Sequence, residues 1–299
     1  MNWVFLALLS PAVYTVVNFI DKHLVSNEVK DYRAMPIYTA IVGFVAGFVF
    51  WIITGFPVLA PLDAIIVILT GILTIWAALL YFKAMSEEEA TTIIILFQSL
   101  PMISLVLAFI ILGETITFKQ LVGFIIIFTA VVLVSLKPSV NKKLTLSSAF
   151  FLIILANFMW ALAGVLIKFA INANTFSKIL SYESWGIGIG GFLLFILIPS
   201  VRNSFLKNVE SVKKRTLSIL FINEFTFVIA KSISFLAYSL GPVALVSVLS
   251  GTQVFYGILY GYVLTKIFPK SFREDIQAKS LVRKGILALL LFLGILLVS

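Results

Sequence analysis

The sequence predicts an all-α membrane protein of ten transmembrane helices, arranged as two inverted five-helix repeats. Apolar runs of bilayer-spanning length recur end to end, the second half repeats the pattern of the first, and Lys and Arg are confined almost entirely to alternate loops. Hydrophobic residues make up 61% of the 299 positions and charged residues only 12%; soluble domains carry roughly 25% charged residues. Mean hydropathy is +1.14.

Breaks at charged and turn-forming residues delimit spans near 3–21, 36–55, 62–84, 90–112, 118–136, 147–170, 180–200, 215–239, 243–267 and 284–298. Each must be helical, because hydrocarbon leaves no water to satisfy exposed backbone groups and the runs lack the alternation of a barrel strand. The first run opens at Trp3 with no basic segment before it and no small-residue cleavage site after it, so it reads as a retained helix rather than a signal peptide.

Span one laid over span six without gaps matches Phe5 to Phe151, Leu6 to Leu152, Leu9 to Leu155 and Lys22 to Lys168, with Tyr14 opposite Trp160. Spans three and four fall on eight and nine through Ala77/Ala230, Ala84/Ala237, Ser86/Ser239 and Leu96/Leu249. Five spans per half is an odd number, so the second copy enters the membrane in the opposite sense. The modules are residues 1–137 and 147–299, joined by a linker at 138–146 that contains Pro138 and Asn141.

Apart from Lys168 and Lys231 within or at the edge of spans, only Lys119, at the start of span five, and Lys178 depart from a pattern that puts Lys and Arg in or beside the loops after spans one, three, five, seven and nine. The positive-inside rule places those loops in the cytoplasm and both termini outside. The net charge of +9 thus points to anionic lipid headgroups rather than nucleic acid. With no cysteine, one histidine (His23) and no paired aspartates within spans, hydrolytic and metal chemistry have no candidate residues, and no enzyme, metal or cofactor is expected.

Span eight carries Asn223-Glu224 and, nearly two turns on, Lys231. A charge at the bilayer centre costs about 3 kcal/mol on insertion scales, so both side chains should face the bundle interior. Glu224 is the candidate proton or cation site and Lys231 the candidate substrate-carboxylate or counter-ion site; a static neutralising pair is the alternative. Span six aligns Asn157, Trp160, Gly164 and Lys168 in one stripe, and span one aligns Pro11, Tyr14, Asn18 and Lys22. Span four offers Gln98 and Pro101, whose missing N–H can kink the helix, and span nine offers Gln253 and Tyr256. The pairs Gly43/Gly47, Gly186/Gly190 and Gly257/Gly261 form small-xxx-small faces for close packing. Glu87–Glu89 reads as a solvated turn, and Glu114 as a neutraliser at the start of span five.

From Tyr81 the chain reads Y-F-K-A-M, then Ala90 with Thr91 and Thr92, Pro101, L-G-E at 112–114, Gln120, Gly123 and a closing V-V-L-V run; W-A-L-A-G-V-L-I-K follows at 160–168. These segments resemble the EamA-type module of the drug/metabolite transporter superfamily. The resemblance implies a ten-helix bundle around a central cavity lined by spans one, three, four, six, eight and nine, with cytoplasmic termini, opposite to the charge count. It also implies amino acids and their derivatives as a substrate class. Departures from the pattern are Glu87–Glu89 at usually small positions, Gln253-Val254 near an expected proline, and no second L-G-E.

Polar residues scattered singly over several spans suit the two-sided cavity of a secondary transporter, and the expectation is an exporter of small polar metabolites, amino-acid-like compounds or drugs by alternating access. An ion channel or lipid scramblase is the alternative, although no filter-like loop is present. The expected setting is a multi-pass protein of the cell membrane, monomeric or homodimeric, with protons as the candidate coupling ion.

Overall fold

A computed structural model describes residues 3–29, 31–113, 115–138, 144–170, 176–240, 246 and 249–298. Twelve α-helices account for nearly all of them: α1 (Trp3–His23), α2 (Met35–Ile53), α3 (Pro61–Glu87), α4 (Ala90–Phe97), α5 (Leu100–Leu112), α6 (Phe118–Ser135), α7 (Ser148–Ala170), α8 (Phe176–Leu197), α9 (Pro199–Ser211), α10 (Lys214–Leu240), α11 (Gln253–Ile267) and α12 (Ala278–Val298). A π turn, Leu24–Glu28, extends α1. Two short antiparallel strands, β1 (Leu136–Pro138) and β2 (Leu144–Leu146), frame the expected linker, whose residues 139–143 lie outside the described ones.

Eight described segments are long and apolar enough to cross a bilayer, α4 and α5 counting together as Ala90–Ile111, and Phe118–Val134 is a shorter apolar helix. Within the span expected at 243–267 a continuous helix runs over Gln253–Ile267, and the tenth begins six residues earlier than expected, at Ala278. Large apolar side chains line the outside, with Phe44, Phe48 and Ile52 on α2 and Phe221, Ile222 and Phe225 on α10 exposed. Water would not tolerate that continuous apolar coat; lipid does.

Two elements depart from the expected spans. Span four is not continuous: α4 stops at Phe97, and α5 restarts at Leu100 with Pro101 in its first turn. Proline has no N–H to offer the carbonyl four residues back, and its ring crowds that position. The released chain is held from α7, where Asn157 donates to Leu96 O (3.1 Å) and Ser99 Oγ (2.7 Å). The second departure is α9, read from hydropathy as a loop. Val201, Ser204 and Asn208 form its buried face, while Arg202 and Lys207 keep its average too polar for a span.

Helix pairing crosses between the halves. α2 packs on α8, α3 on α7 and α8, α1 on α10 and α11, α6 on α12, and α4 on α11, whereas α2 touches α10 only lightly. The expected glycine faces sit at these contacts. A Cβ on Gly43 would meet Ile187, one on Gly47 would meet Trp185, and one on Gly190 would meet the Ile72 backbone. Gly257 faces Ile94, and Gly261 faces Thr91. Gly186 of α8 and Gly71 of α3 bring two backbones together: a Cβ on Gly186 would lie 2.2 Å from Ile68 O, and one on Gly71 would lie 2.1 Å from Glu183 O.

Helix α6 starts at a capping box of Thr117 and Gln120, and Gln120 Nε2 also donates to Val298 O (3.2 Å), tying α6 to the end of α12. Glu114, the expected neutraliser of this terminus, lies outside the described residues.

Candidate functional site

Ionisable groups buried in an apolar bundle require partners, and here they find them across helices. Tyr81 of α3 donates from its hydroxyl to Asp21 Oδ2 (2.8 Å) and accepts from Asn18 Nδ2 (3.1 Å), both on α1. Asn223 of α10 donates to the other Asp21 oxygen (2.7 Å), and Gln253 of α11 donates to Asn18 Oδ1 (3.0 Å). Five side chains from four helices thus form one unbroken chain of hydrogen bonds. Asn223 Oδ1 is buried with no partner among the described residues, which leaves an acceptor open beside Asp21.

The two charges singled out in span eight separate. Glu224 accepts from Thr39 Oγ1 of α2 (2.6 Å), whereas Lys231 pairs with Glu183 of α8 at 2.5 Å. They do not neutralise each other. Both line a chamber of about 20 Å³ between α2, α8 and α10, shared with Thr39, Ser184 and Ser232. That volume holds about one water-sized species.

The proposed stripe on α7 divides by function. Asn157 is fully buried at the break in span four, so it splints that break instead of facing a cavity. Trp160 donates to Thr74 O (3.3 Å) and packs edge-on against Phe97, near the Tyr81 ring. Gly164 has open space beside it, and the Lys168 side chain lies outside the described residues. On α1, Tyr14 meets Phe227 edge-to-face. Gln98 donates to Ile94 O (3.3 Å), one turn back on the same helix. Tyr256 lies 6.1 Å from Tyr260, ring to ring.

A second cavity, of about 730 Å³, opens at the end of the bundle where the basic loops gather. Lys22, adjacent in sequence to Asp21, lines it and donates to Met85 O (2.8 Å). The Glu87–Glu89 run, expected as a solvated turn, lines its wall, with Glu87 exposed. Ser148 donates to Glu87, and Lys284 donates to Glu89 (2.7 Å) and Glu274 (3.3 Å). Glu274 accepts from the Thr91 N–H, so this ion cluster links the α3–α4 turn to the α11–α12 loop. Among the described residues no group of His, Cys, Asp or Glu is arranged to hold a metal.

Asp21, Tyr81 and Glu183 were not singled out as candidates. Asp21 reads as interfacial because Lys22 and His23 follow it, and Tyr81 reads as one aromatic among many. Glu183 had a usable signal: it is an acid inside a span, subject to the same cost as Glu224.

A comparison with curated proteins found no match. Residues 1–136, just under half of the chain, match the model of the EamA-like transporter family. Together with the several bilayer-length apolar helices, that match supports a multi-pass membrane transporter of the EamA type, in the drug/metabolite transporter superfamily.

Proposed function

We propose that this protein is a secondary carrier that moves a small polar metabolite outward by alternating access between two oppositely inserted five-helix modules. The observation that carries this reading is the chain of buried hydrogen bonds through Gln253, Asn18, Tyr81, Asp21 and Asn223, which draws on helices of both halves. A merely structural core would be cheaper with apolar residues at these positions, since buried networks are costly unless fully satisfied. The helix pairing supports the repeat. Exchanging each span with the one five places later maps α3 on α7 to α10 on α1, and leaves α2 on α8, α6 on α12 and α4 on α11 paired as before.

In this reading Asp21 and Glu224 exchange protons with the substrate cycle, and the open acceptor of Asn223 receives a donor of the bound solute. The basic-side cavity is the vestibule through which solute reaches the network. Proteoliposome uptake of a metabolite panel, with and without an imposed pH gradient, tests this. The expected result is saturable flux that responds to the gradient and is lost in Glu224→Gln and Asp21→Asn, with both variants still correctly inserted. Unsaturable flux would indicate a channel, and full activity in both variants would remove the carboxylates from the mechanism.

A further inference from the structure

Helix α9 presents three faces. Val201, Ser204 and Asn208 are buried against the bundle. A second face carries Arg202, Leu206, Val209 and, just past the helix end, Lys213, with the leucine 47% and the valine 49% exposed between the two cations. The remaining face carries Asn203, Lys207 and Glu210, all exposed. Lys214 and Arg215 follow at once and are also exposed. The side chains of these five cations, and of the single carboxylate Glu210 among them, make no hydrogen bond or ion pair among the described residues.

Apolar side chains flanked by unpartnered cations, on a short amphipathic helix between two spans, match the boundary between acyl chains and headgroups. The excess of positive charge selects the chemistry of the partner. We infer that α9 is a docking element for anionic phospholipid headgroups, and that its seating on them is transmitted to Glu224. The connection is short. Tyr38 of α2 donates to Asn208 of α9 (2.7 Å) and stacks edge-on with Phe205, while the next residue, Thr39, donates to Glu224. α10, which carries Glu224, begins three residues after α9 ends.

The chain contains no cysteine, so Leu206→Cys supplies a single thiol for an environment-sensitive fluorophore on an exposed position. In vesicles of phosphatidylcholine mixed with phosphatidylglycerol, the label should emit further to the blue than in phosphatidylcholine alone. High salt should remove the difference, as should replacement of Arg202, Lys207, Lys213, Lys214 and Arg215 by glutamine. Equal emission in the two lipids, or a difference that survives the glutamine replacements, overturns the docking. The link is read without transport, as the rate at which a hydrophobic carbodiimide labels Glu224, followed by mass spectrometry. That rate should differ between the two lipids in the wild-type chain and become lipid-independent in Tyr38→Phe, which keeps the ring and loses only the bond to Asn208. A lipid-independent rate in the wild-type chain overturns the link.

Discussion

Within the spans, each ionisable side chain is only as tolerable as its partner. Lys231→Met leaves Glu183 unpaired in an apolar seam, and breaking a buried pair from one side costs about 3 kcal/mol. The expected outcome is a lowered unfolding temperature in detergent, largely recovered when Glu183→Met is added. Equal loss in the single and double variants would mean that the pair does not hold α8 to α10. Tyr81→Phe removes the hydroxyl that both serves Asp21 and accepts from Asn18. Stranding those groups is expected to cost about 1–3 kcal/mol and to abolish uptake; stability and flux unchanged from wild type would place the network outside the transport path. Sequence alone exposed Glu224, Lys231, Asn18 and Gln253, because polarity inside an apolar run is visible without coordinates. It could not reveal that Lys231 belongs to Glu183 or that Tyr81 bridges Asn18 and Asp21, since partner choice depends on which helix faces which.

Helices, unlike pairings, follow local rules, and most were legible. Apolar length marked the spans, and Pro101 marked the interruption in span four; the site of the break and its splint by Asn157 came only from packing. Glycine spacing indicated close contact, and two positions give a clean contrast. In Gly186→Ala the new methyl meets Ile68 O, so α3 and α8 must part, at a cost of about 1–3 kcal/mol. In Gly164→Ala nothing obstructs the methyl, and a gain of up to about 1 kcal/mol is expected from helix propensity. Thermal unfolding of the two variants side by side reads the difference.

The loop cluster of Glu89, Lys284 and Glu274 adds a pH dependence. Burial pushes the Glu274 carboxyl above the ordinary value of 4.5, although Lys284 pulls it down. Burial is also the largest influence on Glu89 and works to raise it, but the Lys284 charge and the hydrogen bonds with Lys284, Glu274 and the Asp275 N–H together outweigh it and hold this carboxyl below 4.5. Stability from Glu89 is therefore present above 4.5 and lost as pH falls through its depressed value. That from Glu274 is present below 4.5 and lost as pH rises through its elevated value. At neutral pH, Glu89→Gln should destabilise while Glu274→Gln should not. Below 4.5 the wild-type unfolding temperature should fall more steeply than that of Glu89→Gln. Matching profiles for the two single variants would contradict this division of roles.

Across the whole molecule, internal similarity predicts two repeats but not which helices pair between them, and α9 escapes it too, because a hydropathy average cannot distinguish a half-buried amphipathic helix from a loop. The pairing also contains one inequality. Gly71 and Gly186 bring α3 and α8 to backbone contact, while the corresponding seam, α2 with α10, is slack and holds the small chamber beside Thr39 and Glu224. If each half of the carrier takes the other's shape during the cycle, the tight seam must slacken as the slack one tightens. Spin labels straddling α3 and α8 should then report lengthening distances when those straddling α2 and α10 report shortening, and the water-sized gap around Glu224 should be squeezed shut once per turnover.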